Sequence, residues 1–543
     1  MPGGIVSDTA HLALAFRYHL PTKGEILRTK RTIINTLYTL GSSLVLMVLG
    51  MITRSLFVNV FGAEIPGYAG AIEKIFSVFS VAEFGVGGVI SYRLYGQIAA
   101  KNIGQIAKYM SLYKWIYRLI GVAICVMALV LMPFLPLLVP DAPDMGVVYS
   151  IYVLQMLATI SSYFLVTRRL MYTCTQQGYI CTRMDLGFNV ATYLIRIAIA
   201  LWLPNYILYF AVTILFNTMA NVAVAWRYRR DFPELQDVRV SYADFKELGL
   251  FHDLRYYLVH RLSNAVYGSS DNIVTLRMRG AGAVTMLGNY ATIADSVTNI
   301  GNKILDSFSA AIGNIVYDKN AAADGHAKAV FWSMDLFSYA FGSFVAVAYF
   351  CLFQPFMSYW MGDVWLLPMS FVFFFCMNEY IGWNHRMLGS YRSVLGHFEE
   401  DQWYMVASAV SNLVLSVVLI AKFGIPGIVA ATVFAHCLMW IGRARVVFRH
   451  YMPGDGWRYL RVQLLHLATL GGELLLCSLV CEGAAGMLAG LPFGGLLGLL
   501  ARGVIVVILP NAINLAVYGW MPDAAYLRGY AAKVAAKLRH RGE

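Results

Sequence analysis

NYATIADSVTNIGNKILDSFSAAIG, residues 289–313, decides how the chain is read. On a helix at about 100° per residue, Asn289, Thr292, Asp295, Ser296, Asn299, Asn302, Lys303, Asp306 and Ser309 share one side. Tyr290, Ile293, Val297, Ile300, Ile304, Phe308, Ala311 and Ile315 share the other. At about 1.5 Å per residue, this helix is long enough to cross a bilayer of ~30 Å. Apolar spans precede and follow it, which places the polar stripe at membrane depth. Ionisable groups there are costly and usually face a bundle interior or a watery cavity. The stripe reads as the lining of a hydrophilic path; polar contacts between packed helices are the competing reading.

The rest of the chain agrees with a membrane setting. Of 543 residues, 59% are hydrophobic and only 13% charged, against about 25% charged in an ordinary soluble domain. Fourteen spans are predicted, at 32–53, 67–92, 115–139, 146–167, 184–203, 206–226, 253–276, 285–316, 330–352, 364–385, 403–422, 426–442, 463–481 and 496–520. With the N-terminus in the cytoplasm, most of the 42 Lys and Arg fall on the inner side, and only Arg54, Arg277, Arg279 and Lys422 on the outer. That asymmetry follows the positive-inside rule. It places both termini in the cytoplasm of a multi-pass protein of the plasma membrane. The net charge of +12 thus reports topology and contact with anionic lipid, not nucleic acid.

The expected organisation is a basic cytoplasmic N-terminus (1–31), an N-terminal lobe of six spans (32–226), a cytoplasmic linker (227–252) and a C-terminal lobe of six spans (253–450). A last helix pair (451–520) and a basic amphipathic tail (521–543) follow, the tail suited to the inner leaflet. Gly62-x4-Gly67-Tyr68 before span two and Gly280-x7-Gly288-Asn289-Tyr290 before span eight form a faint internal repeat. Six spans separate the copies, as in parallel repeats about an axis normal to the membrane.

Several chemistries find no support. There is no Gly-x4-Gly-Lys-Ser/Thr phosphate loop, no His-Glu-x-x-His, and no outer connection long enough for a catalytic domain. The eight cysteines match neither a zinc nor a redox spacing. We expect no enzyme, no cofactor and no metal centre; a membrane glycosyltransferase or polymerase is the less favoured alternative.

Short segments carry a resemblance. They are Ala82-Glu-Phe-Gly-Val-Gly87 with Ser91-Tyr-Arg-Leu-Tyr95, Asp271-Asn-Ile273, Gly288-Asn-Tyr290, Gly313-Asn314, Asn412-Leu-Val-Leu-Ser416 and Phe423-Gly-Ile-Pro-Gly-Ile428. Together, over roughly residues 30–450, they resemble the Wzx-type polysaccharide flippases of the multidrug/oligosaccharidyl-lipid/polysaccharide exporter superfamily, closest to the Gram-positive branch. The chain departs from that pattern at Gly280-Ala-Gly-Ala-Val284, where extra residues precede Gly288. The resemblance implies an all-α fold of about fourteen helices in two pseudo-symmetric lobes plus a C-terminal pair, with a cavity opening alternately to each side. It implies as substrate an oligosaccharide on a polyprenyl pyrophosphate, moved from the inner to the outer leaflet for surface polysaccharide synthesis. A polysaccharide polymerase and other export machinery become the expected partners beside membrane lipid.

A diphosphate cannot cross hydrocarbon unless something replaces its water. Arg196, Arg261 and Lys303 are the expected headgroup ligands, because guanidinium and ammonium groups make charge-assisted bonds to phosphate oxygens. Lys303 can instead pair with Asp306 on its own helix. Asn189, Asn264, Asn289, Asn299 and Asn302 suit sugar hydroxyls. Glu73, Glu83, Asp271, Asp295 and Asp306 are candidates for proton or sodium coupling. A related exporter of small cations and a flippase for peptidoglycan precursor are the alternatives.

Overall fold

A computed structural model of the chain describes residues 23–529, apart from 84–85, 141, 242–243, 246–249, 318–325, 396 and 526; side chains at 23–40, 82, 250–258, 303–317, 326, 395 and 398 also lie outside the description. Among the described residues every regular element is helical. The principal helices are α1 (Lys23–Phe61), α2 (Glu64–Phe79), α3 (Val86–Ala99), α4 (Ile103–Leu131), α5 (Met145–Leu165), α6 (Gly178–Trp202) and α7 (Tyr206–Asp231). They continue with α8 (Leu250–Tyr317), α9 (His326–Met361), α10 (Met369–Leu395), α11 (Phe398–Phe423), α12 (Ile425–His450), α13 (Gly456–Leu488) and α14 (Gly494–Tyr518).

Ten stretches among the described residues are long and apolar enough to cross a membrane, fewer than the fourteen expected. The missing four are the α2–α3 segment, the two arms of α8, and α10. The second span, expected as one segment over 67–92, is broken into α2 and α3, each too short to cross by itself; the other three carry polar side chains, among them Asn264, Asn289 and Glu379, which lower their hydropathy. All four are also inner helices, since α2 packs along α8 and α10 lies against α12. The outward faces elsewhere are apolar: Leu44, Val48, Leu119, Val126, Leu475 and Ile508 are all exposed. Exposed apolar surface on this scale belongs in lipid, and the chain is a multi-pass integral membrane protein.

Two boundaries differ from expectation. The first helix does not stop before Arg54 but runs to Phe61, so Arg54 belongs to a span and not to an outer connection. Its hydropathic signal ended at the first charge although the helix did not. Spans seven and eight, expected as separate segments, are two arms of α8 broken only at Gly280 (φ 80°, ψ 175°). That backbone is open to glycine and strained for any other residue. The arms fold back on one another: His260 in the first and Asn302 in the second both meet the C-terminal part of α10 or its neighbour Asp401.

Two large apolar cores form beside three smaller clusters. One gathers α2 to α7 around Ile72, Ile90, Ile124, Tyr152 and Tyr172, and takes only Leu276, Ala281 and Val284 from α8. The other joins the second arm of α8 to α9, α10 and α12 to α14 around Tyr290, Tyr339, Phe371 and Cys477. The last pair docks on α9 through polar contacts as well: Gln463 donates to Asp335 at 3.1 Å, and His466 stacks on Tyr339 at 4.0 Å. The basic amphipathic tail expected over 521–543 lies largely outside the described residues.

Candidate functional site

α2 crosses α8 at close range because position 67 has no side chain: a Cβ there would lie 2.0 Å from the Ala281 carbonyl oxygen. This crossing sets the polar interior. Above and below one turn of α2 lie two cavities.

The central cavity, about 500 Å³, is walled by α1, α2, α5, α6 and α7, with Thr292 from α8. Arg54, Glu73, Gln155, Tyr193, Arg196 and Asn217 supply its polar lining. The Arg196 guanidinium lies over the Tyr209 ring at 4.4 Å, and its Nε makes a long bond to the Tyr209 carbonyl at 3.4 Å. Tyr209 is fixed in turn by stacking on Phe57 at 4.5 Å. Arg54 donates from Nε to Asn289 Oδ1 at 2.9 Å and from Nη2 to the Thr285 carbonyl at 3.1 Å. It thereby ties α1 to the second arm of α8. No ion pair among the described residues engages Arg54, Arg196 or Glu73. Two guanidiniums facing one carboxylate leave this cavity with an excess of one positive charge.

The inner cavity, about 410 Å³, is lined by Ser77 and Ser80 of the α2 end, His260, Arg261 and Asn264 of α8, and Arg392 and Ser393 of α10. Glu73 and Ser77 are one helical turn apart on α2, about 6 Å of rise. Between the cavities Ser77 and Ser269 meet hydroxyl to hydroxyl at 3.2 Å.

The expected headgroup ligands are therefore not gathered in one place. Arg196 faces the central cavity and Arg261 the inner one. The Lys303 and Asp306 side chains lie outside the described residues. Of the expected sugar ligands, Asn264 lines the inner cavity, Asn289 is wholly buried against Arg54, and Asn302 accepts from Arg386 at 3.1 Å. Asn299 is exposed, while Asn189 is half-buried and lines neither cavity.

The carboxylates separate just as sharply. Glu73 faces the central cavity. Glu83, at the break between α2 and α3, accepts a short hydrogen bond from the Tyr117 hydroxyl. Asp295 is exposed. Asp271 sits among neutral oxygens: Thr432 Oγ1 donates to it at 2.7 Å, and Ser416 Oγ lies at 3.5 Å. Asn412 completes the group, donating to Thr432 at 3.0 Å and accepting from Ser270 at 2.6 Å. Asn412 and Ser416 are wholly buried.

Sequence reasoning missed Arg54, and it gave no role to the cations of α10 and α12. Arg443 contacts His385 Nδ1 closely and its carbonyl at 3.3 Å. Arg392 pairs with buried Asp401 at 3.4 Å, which also takes His260 at 3.2 Å. The signal for Arg54 was its position, less than two turns short of the α1 C-terminus at Phe61.

No protein-family model and no curated protein sequence matches the chain. Its fold is nevertheless that of known transporters. A lipid II flippase MurJ in an inward closed conformation aligns with a TM-score of 0.63 at 12% identity, covering 91% of this chain and 99% of that one. The D35N mutant of the MATE transporter VcmN from Vibrio cholerae aligns with a TM-score of 0.54 at 13% identity, over 78% and 98% of the two chains. A transporter of the MOP superfamily from Pyrococcus furiosus, described as having a binding pocket of reversed polarity, gives 0.55 at 12% identity over 78% and 96%. These structures are transporters, not enzymes. A match over 91% of 543 residues exceeds the 450 that precede the last helix pair, so the flippase likeness extends into that pair.

Proposed function

We propose that this protein is a flippase that carries a polyprenyl-pyrophosphate-linked oligosaccharide from the inner to the outer leaflet by alternating access, for synthesis of a surface polysaccharide. The observation that carries this reading is that two guanidiniums, Arg54 and Arg196, face one cavity in which Glu73 is the single carboxylate and makes no ion pair with either. The excess positive charge, held away from bulk water, is expensive, and an anionic ligand removes that penalty. The two forks present several N–H donors to phosphate oxygens. The volume lies within the ~300–1,000 Å³ of ordinary ligand pockets, which suits a diphosphate and its first sugar. The lipid tail stays in the bilayer.

In this reading the fourteen predicted segments all cross the membrane, the N-terminus is cytoplasmic, and the lobes divide at the 227–252 linker. Arg261 and Asn264 form the entry site in the inner cavity. The contact of Ser77 with Ser269 closes the route between the cavities, and parting α2 from α8 joins them. Arg54 couples binding to that movement, because phosphate oxygens compete for the N–H groups it now gives to Asn289 and Thr285. Asp271, with Ser416, Asn412 and Thr432 around it, is the coupling group. An oxygen-only set without a cationic side chain suits a proton or a hard monovalent cation.

A flippase of peptidoglycan precursor is the second reading, favoured by the near full-length likeness to the lipid II flippase. Proteoliposomes separate the readings. Purified protein is offered a polyprenyl-pyrophosphate oligosaccharide, lipid II, or a small cationic dye, and translocation of each is followed by accessibility to an added enzyme or quencher. Transport of the dye alone would refute the flippase assignment, and transport of lipid II alone would replace the substrate.

A further inference from the structure

We infer that the inner end of the α11–α12 pair is a binding site for one divalent transition-metal ion of the zinc class, held by His397, Glu400 and His450. His397 immediately precedes α11, Glu400 lies in its first turn, and His450 is the last residue of α12. No contiguous motif marks them, which is why a sequence reading finds no metal centre.

The geometry is close to that of a loaded site. His450 Nε2 lies 2.5 Å from Glu400 Oε1, and His397 Nδ1 lies 3.5 Å from the same oxygen. One donor atom from each residue falls within 4.8 Å of the other two. Donors held ~2.0–2.2 Å from a tetrahedral ion are about 3.4 Å apart, so small side-chain rotations bring all three into range. The imidazole rings stack at 4.1 Å with an angle of 15°. All three side chains are partly exposed, leaving an entry path and room for water at a fourth position. Two imidazole nitrogens and a carboxylate oxygen suit zinc, cobalt or nickel better than calcium or magnesium, which prefer oxygen alone. Arg449 opposes the ion, since its Nη1 lies 3.7 Å from Glu400 Oε2.

Such an ion ties the start of α11 to the end of α12. These helices are joined at their other end by the turn at Gly424. Between clamp and turn lie Asn412, Ser416 and Thr432, the partners of Asp271. A bound metal therefore holds the two helices at both ends.

The test uses the full-length chain, purified without a histidine tag in detergent. Co²⁺ is titrated by its visible absorption and Zn²⁺ by calorimetry. One site per chain is expected. His397→Ala, Glu400→Gln and His450→Ala should each weaken binding at least tenfold, while Arg449→Gln strengthens it severalfold. Thermal unfolding without metal should be the same in all four variants, because the residues are at the surface. No stoichiometric uptake, or uptake indifferent to all three ligand substitutions, overturns the site and leaves a hydrogen-bonded His–Glu cluster.

Discussion

Arg54 and Arg196 of the first half are held in the opposite way to Arg386, Arg392 and Arg443 of the second, although the first half also keeps Arg169 paired with Asp185 at 2.6 Å. In the first half, Arg54 and Arg196 point into open space, held only by carbonyl, amide and ring contacts. In the second, Arg392 is matched by Asp401, Arg443 is wedged against His385, and Arg386 lies over Trp383 at 4.4 Å while donating to Asn302. The residue type is the same; the neighbours differ. Charges closed off by partners organise helix packing, whereas charges left facing a cavity are available to a ligand. The second half also keeps a carboxylate, Asp271, among hydroxyls and an amide with no cation.

The sharpest way to break this comparison is to remove a partner from the closed half. Asp401 is 1% exposed and receives both His260 and Arg392. Replacing it with Ala strands a buried guanidinium, which typically destabilises by about 3–5 kcal/mol. Asp401→Ala should lose most of its monodisperse peak in size-exclusion chromatography. A variant that runs and melts like the parent would show that the second half is no more locked than the first.

Next in size are the open cations. Arg196→Ala should leave the protein at normal level and melting temperature, whereas Arg54→Ala also loses the bonds to Asn289 and Thr285 and should melt lower. Loss of a charge-assisted hydrogen bond costs about 1.5–3 kcal/mol, roughly ten- to more than a hundredfold in headgroup affinity. Surface polysaccharide in a complementation assay should fall accordingly. Arg196→Lys should restore part of it, because the charge returns without the fork. Export at parental level from both Ala variants would remove the functional distinction between the halves.

A smaller effect is expected at Asp271. Thr432→Ala removes its closest hydroxyl, at 2.7 Å, so the group should depend on ion conditions in a new way. Transport in proteoliposomes should keep its maximal rate but need a steeper proton or sodium gradient. An unchanged gradient dependence in both Thr432→Ala and Asp271→Asn would remove Asp271 from coupling.

How much of this could be read beforehand follows from sequence distance. Apolar runs such as 115–139 announce a span because hydropathy is a local quantity. The polar faces of α2 and α8 were equally visible, since helical periodicity is local too. What periodicity cannot give is which faces meet. Asp271 and Thr432 are 161 positions apart, and Ser270 and Asn412 142; nothing local pairs them. Arg54 and Asn289 are 235 apart. The close backbone approach of Gly67 to Ala281 leaves no mark except a glycine. Single-residue events, such as the break at Gly280, are invisible to any averaging window.

The weakest contrast between the halves lies outside the membrane, where the linker is strapped to the first half. Asp237 joins Lys114 and Arg168, each at 2.6 Å, and Asp244 joins Lys108 at 2.8 Å. Burial pushes the Asp237 carboxyl upward, but hydrogen bonds from Lys114 and Arg168 outweigh it and hold it below the usual range. Asp244 is lowered to about 2 by the Lys108 bond, then by the amide and hydroxyl of Ser241. A carboxylate whose folded value is depressed contributes its full share above the unfolded value, near ~3.9. That share fades as pH falls through the folded one. The strap should therefore hold at pH 7 and at pH 5, and loosen only between about 4 and 2. Exposed pairs contribute little and are screened by salt, so the change should be local to residues 232–245. Hydrogen exchange of that segment should rise over this acid window and with added salt. At pH 7, Asp237→Asn should raise it a fewfold, and a linker indifferent to both acid and substitution would mean that it is held by Phe232 and Leu235 packing alone.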